Sequence, residues 1–159
     1  MNGRDTTWLR EALATRDVER VTANMPAAGE RLNDARRHIR SARRLADDDR
    51  TLAMAACHDA VRKAITAHMA AAGLRPRGGD GAHRLVLDYA RHELADVVAE
   101  ADLADADDIR KDRGLAEYGD FVFRQLTPGH IEASADVAER IVNAVASALA
   151  SGRRSKPSR

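Results

Sequence analysis

The side chains with chemistry to offer fall mostly in one stretch, Asp107-Asp108-Ile109-Arg110-Lys111-Asp112-Arg113-Gly114-Leu115-Ala116-Glu117-Tyr118-Gly119-Asp120-Phe121-Val122. On a helix, Arg110, Arg113, Glu117 and Asp120 share one side at spacings of three, four and three, while Leu115, Tyr118 and Val122 share another. Spacing alone gives an ordinary amphipathic helix, in which Arg113 pairs with Glu117 at i, i+4 for about 0.3 kcal/mol and Tyr118 packs inward. Gly114 and Gly119 fit that picture less well, since each costs roughly 1 kcal/mol relative to alanine in a helix interior. They point to close backbone approach, for which a second copy of the chain is one source.

The remaining reactive groups are scattered. His38, His58, His68, His83, His92 and His130 show no repeated ligand spacing. His58 and His68 lie on one helix but about 15 Å apart, too far to share a metal ion. Neither a metal nor a cofactor is expected. Cys57 is the single cysteine, so no disulfide can form within the chain, which fits a reducing compartment. Its neighbours Ala53, Ala56, Ala60 and Val61 make it a packed thiol rather than a reactive one. P-loop, dinucleotide, GxSxG, HExxH and CxxC patterns are absent.

The elements that must position these groups read as helices throughout. Aromatic residues make up 3% of the 159 residues, and alanine, the best helix former, fills much of the apolar fraction. The β-branched and aromatic runs that mark strands are missing. A short helix is expected from Arg4 to Val21, then a connection through Pro26 and Gly29. A second helix runs from about Glu30 to Ala46, with Leu32, Ala35, Ile39, Ala42 and Leu45 as one stripe. Asp47, Asp48 and Asp49 form a turn that caps the next helix, about Arg50 to Ala72, whose wide apolar arc marks it as central. Gly73 stops it, and Leu74 to Gly81 reads as a flexible loop. Further helices are expected at about Ala82 to Ala101, Asp107 to Leu126 and Pro128 to Ala150, with Asp102 to Asp107 as a break. Thr127-Pro128 is a specific start signal. The expected organisation is a short N-terminal helix and connection over 1–29, a helical bundle over 30–151 and a disordered basic tail over 152–159. No apolar run spans a bilayer and the N-terminus has no signal-peptide character, so the cytoplasm is the expected compartment.

Charge is unevenly placed. Arg31, Arg36, Arg37, Arg40, Arg43 and Arg44 stand against Asp34 alone, whereas Glu93 to Asp108 carries only acids. Such polarity can steer polyanions or acidic partners, or it can be plain solvated surface.

The segment Arg113-Gly114-Leu115-Ala116-Glu117-Tyr118-Gly119-Asp120-Phe121 resembles the penultimate-helix signature of HEPN proteins, an Arg followed after four to six residues by His or, in many members, Tyr. Two other regions are similar in kind: Ala56-Cys57-His58-Asp59-Ala60 leading to Ala71-Ala72-Gly73-Leu74, and the glycine-rich loop followed by His83. The likeness spans about Glu30 to Ala150. It implies an all-α, HEPN-like bundle of four to five helices that dimerises with its Arg-bearing helices facing a shared groove. Active members resemble metal-independent endoribonucleases, which need a base for a ribose 2′-OH and a cation for the charge developing on phosphorus. By that resemblance Arg113 is the phosphate-binding cation and Tyr118 stands where the motif histidine would be. With an unperturbed pKa of about 10, a tyrosine is a poor base near neutrality, though it can donate a hydrogen bond.

Two functions follow from the resemblance. One is a protein that cleaves or binds RNA, as the toxin ribonuclease of a toxin–antitoxin or defence pair, using Arg110 and Arg113 with Arg36, Arg40 and Arg43. The other is a non-catalytic homodimeric module that docks a partner such as a small nucleotidyltransferase. Scarce aromatics argue against base stacking, so RNA binding would be electrostatic. Each phosphate neutralised on a single strand contributes a slope of about −0.7 in log K against log salt. Replacing Arg36, Arg40 and Arg43 with Gln is expected to flatten that slope in a binding titration, and unchanged salt dependence would make the arginine face mere surface.

Overall fold

The turn at Asp47-Asp48-Asp49 and the alanine-rich run after it organise the molecule. In the computed structural model, Asp49 accepts a hydrogen bond from Leu52 N at 3.0 Å and starts a helix over Arg50–Ala71. The structure describes residues 5–78, 82–118 and 126–154, with side chains as far as 114 and 152 in the second and third stretches. In chain order the elements are α1 (Thr7–Ala14), β1 (Val18–Arg20), α2 (Met25–Leu45), α3 (Arg50–Ala71), β2 (Leu74–Pro76), α4 (Ala82–Glu93), α5 (Glu100–Tyr118) and α6 (Pro128–Arg154). The all-α bundle is as the sequence implied. None of the helices among the described residues is long and apolar enough to cross a membrane.

Helix α3 is the hub, packing on α2, α4, α5, α6 and β2. It buries two adjacent stripes, Ala53, Cys57, Ala60, Ala64 and Ala67 beside Met54, His58, Val61, Ile65 and Met69. Its largest contact is with α2, where buried Ala28, Leu32, Ala35, Ile39 and Ala42, followed by Ala46 at the C-cap, alternate spacings of four and three. That is a heptad seam, and alanine at every second position lets the two backbones approach closely. Lys63 on Asp34 (3.4 Å) and Arg31 on the Thr66 carbonyl (2.8 Å) flank the seam.

Several boundaries differ from the sequence reading. Helix α2 starts at Met25 because Asn24 caps Ala27 N at 2.9 Å and Pro26 sits in the first turn, where its missing N–H costs nothing. Residues expected as helix and as loop instead pair as a two-stranded antiparallel ribbon, with Glu19 opposite Arg75. The break between α4 and α5 falls at residues 94–99, not at Asp102 to Asp107. Acids in a first turn complement the helix dipole, and Leu103, Ala106 and Ile109 bury a continuous stripe through that run. Helix α6 begins as expected, with Thr127 Oγ1 accepting from His130 N at 3.1 Å, but continues into the expected tail as far as Arg154. Residues 155–159 of that tail lie outside the described residues, as do Gly119, Asp120, Phe121 and Val122.

Gly73 ends α3 with φ of +72°, and a Cβ there would stand 2.8 Å from the Val21 carbonyl oxygen. Both the left-handed backbone and the contact penalise a side chain. Gly73→Ala is expected to cost about 2 kcal/mol, read as a lowered urea midpoint at unchanged slope.

Candidate functional site

Two pairs of polar side chains tie α3 to α4, and they differ in kind. His68 Nδ1 lies 2.9 Å from the Tyr89 hydroxyl, and Tyr89 is 1% exposed. Burial pushes the phenol up, with the Glu93 charge adding to it, and burial also pushes His68 down, so the hydroxyl donates to a neutral imidazole. Trp8 covers this pair, edge-on to Tyr89 and stacked on His92 with centroids 5.5 Å apart. The surroundings are largely aromatic. This is a fastening of α1 and α4 onto α3.

The second pair sits among charges. His58, only 4% exposed, places Nε2 2.8 Å from Nδ1 of His83 at the start of α4. Burial pushes His58 down to about 4, helped by His83, Arg113 and Arg62 and opposed by Asp59. Burial likewise lowers His83, with Arg62, Arg113 and Arg110 adding to it and Asp59 opposing. Both rings are therefore neutral at pH 7, and one donates an N–H to the lone pair of the other. Asp59, Arg62 and Arg113 act on both rings and Arg110 on His83, and all four, like His83, are half-buried. Three helices thus bring together two neutral imidazoles and three guanidiniums. Oxyanions are the ligands that such donors recognise.

Neighbouring carboxylates on the same helices orient Arg110 and Arg62. Asp107 takes Arg110 Nε at 2.9 Å, Lys111 Nζ at 3.1 Å and Arg91 at 3.7 Å. Burial would raise this carboxyl, but the hydrogen bonds from Arg110 and Lys111 outweigh it and hold it below its ordinary value. Arg62 has Asp59 at 3.8 Å. Among the described residues, no cluster of three or more His, Cys, Asp or Glu could hold a metal ion.

The structure brings together only part of the expected set. Arg110 and Arg113 belong to the cluster. The Tyr118 and Glu117 side chains lie outside the described residues. On α2, Arg36 and Arg40 are exposed, whereas Arg43 is committed to Asp136 (2.8 Å), Glu139 (3.2 Å) and Glu132 (3.4 Å) on α6. Arg43 is thus a brace between helices, and its replacement tests stability rather than phosphate contact. Around Gly114 nothing among the described residues comes within 4 Å of where a Cβ would stand. Cys57 is fully buried, with Sγ 4.0 Å from the Ile131 carbonyl oxygen, and burial pushes its thiol up to about 12. It is the inert thiol expected.

The His58–His83 contact went unread in the sequence because its partners are 25 residues apart. One signal was available: a histidine on an otherwise apolar stripe of a central helix needs an internal partner.

A family model, the HEPN domain, matches residues 28–149, from the first turns of α2 nearly to the end of α6. No curated protein and no solved structure shows a match to the chain.

The neutral histidines make stability depend on pH. Unfolded, each takes a proton near its ordinary 6.5, while in the fold His58 resists protonation until about 4. The unfolded chain then binds more protons, so stability is full above 6.5 and falls as pH drops below it. Between pH 6.5 and about 5, His58 alone is expected to remove about 2 kcal/mol. Urea melts of the wild type and His58→Gln should show a shallower acid decline in the variant.

Proposed function

The chain belongs to the HEPN domain family, and on that premise we propose that it acts on RNA, with Arg113 as the cation that holds the phosphodiester. The carrying observation is the grouping of Arg113 and Arg110 on α5 with Arg62 on α3 around the imidazole pair of buried His58 and half-buried His83. Planar guanidiniums match two phosphate oxygens at once, and partial burial makes each contact stronger than it would be in open water. The exposed Arg36 and Arg40 add long-range attraction for the same polyanion. In this reading the protein is the RNA-cleaving or RNA-binding member of a toxin–antitoxin or defence pair. It works as a homodimer in which the Gly114 stretch of α5 meets a second copy.

The test is Arg113→Ala against the wild type, with binding to a labelled single-stranded RNA and thermal melting measured together. RNA affinity is expected to fall at least about tenfold, equal to 1.4 kcal/mol, while stability changes by no more than about 1 kcal/mol. Light scattering is expected to give twice the 17.3 kDa chain mass for both proteins. Wild-type protein that dimerises without binding RNA would instead favour the docking module for a partner protein. Unchanged RNA affinity in a folded variant would remove Arg113 from the site.

A further inference from the structure

We infer that His83, backed by His58, is the general base of this site, abstracting the 2′-OH proton in RNA cleavage and doing from α3 and α4 what no histidine on α5 does. The inference rests on the RNA reading above. Its geometric basis is the 2.8 Å contact between His58 Nε2 and His83 Nδ1. That contact engages one nitrogen of each ring and leaves Nε2 of the half-buried His83 as the ring's other edge. When His83 donates its Nδ1–H to His58, its Nε2 carries a lone pair. A base with an orienting partner on its second nitrogen is the general arrangement by which an imidazole is held in one tautomer. His58 is enclosed and cannot meet substrate, so it is a positioning residue; His83 is half-buried and is the ring of the pair that keeps exposed surface.

The neighbourhood suits that role. Burial first, then Arg62 on α3 and Arg113 and Arg110 on α5, lower the proton affinity of His83, and Asp59 on α3 moderates the effect. The unbound base therefore stays deprotonated at neutral pH. A bound phosphodiester brings negative charge to the same guanidiniums, which favours the imidazolium that forms as the proton arrives. His68 has no such setting, because its Nδ1 receives the Tyr89 hydroxyl away from any arginine that shifts it.

The step balances without a metal or oxidant. His83 Nε2 takes the 2′-OH proton, the 2′-oxygen forms a bond to phosphorus, and the bond from phosphorus to the 5′-oxygen breaks. The leaving oxygen takes a proton from water. The products are a 2′,3′-cyclic phosphate and a 5′-hydroxyl, and His83 later returns its proton to solvent.

The experiment measures single-turnover cleavage and binding of a labelled single-stranded RNA of mixed sequence in EDTA, using the full chain. Wild type is expected to leave 2′,3′-cyclic phosphate ends and to bind but not cut a 2′-O-methylated copy. His83→Ala is expected to lose at least about 100-fold in cleavage, with binding changed by less than about threefold. Added imidazole should restore part of the rate. His58→Phe should slow cleavage at constant affinity, and His58→Gln, which keeps an acceptor, should recover much of it. The wild-type pH–rate profile asks the same question with no substitution. A rate that levels off by neutral pH fits His83, whereas one still rising toward about pH 10 assigns the base to Tyr118 and overturns the proposal. Full cleavage by folded His83→Ala also overturns it. RNA that binds Arg113-dependently but is never cut overturns the base and leaves the binding reading standing, whereas no RNA binding at all overturns that reading itself.

Discussion

The constraint on which the structure turns is the burial of α3. Five other elements pack on this helix, so a polar group on its buried arc must find its partner inside the protein. His58 does so through His83, and half-buried His68 does so through Tyr89. These two bonds fix where α4 crosses α3, one near its first turn and one beyond its middle. Helix α5 then packs against both, carrying Arg110 and Arg113 toward the His58 end. A requirement of burial thus becomes the placement of a site.

Small side chains make that burial feasible. Along α2 the seam alternates alanine with Leu32 and Ile39, and α3 answers mostly with alanine. Less apolar area is buried per residue than a leucine seam would give, but close backbones gain dispersion contacts and leave few voids. The volume saved on this side leaves room for α3 to take larger residues, Met54, Ile65 and Met69, in its second stripe. The charged braces at Arg43 and Lys63 lie at the edges of this arrangement, where partial exposure limits each to modest stabilisation.

The sequence made the bundle legible and its punctuation less so. The stripe Leu32, Ala35, Ile39 and Ala42 was plain, and only its last member moved, from Leu45 to Ala46, because the seam follows a seven-residue repeat. Proline was read well at Pro128, where Thr127 supplied the cap. It was misread at Pro26, where Asn24 supplies one just as effectively. The acids after Glu100 looked like a break because their charge was weighed without the helix dipole that favours them there. Arg110 and Arg113 were recognisable from their own helix. The histidines that complete the cluster were not, since their contact joins helices far apart in sequence, and periodicity within one helix carries no information about such crossings.

The ribbon of β1 and β2 has a consequence for how the molecule assembles. Only three residues long in each strand, it joins Val18–Arg20 to Leu74–Pro76, which flank the α2–α3 hairpin in sequence. Bringing its ends together from an open coil carries a loop-closure entropy that three ladder positions can scarcely offset. The hairpin, by contrast, forms from contacts local in sequence and needs only its four-residue turn. Once α2 and α3 lie side by side, the two strands are already neighbours and their pairing costs little. Ribbon and N-terminal helix therefore belong to the last stage of folding, a clasp that closes on a bundle already made, and the first part to open under tension applied at the N-terminus.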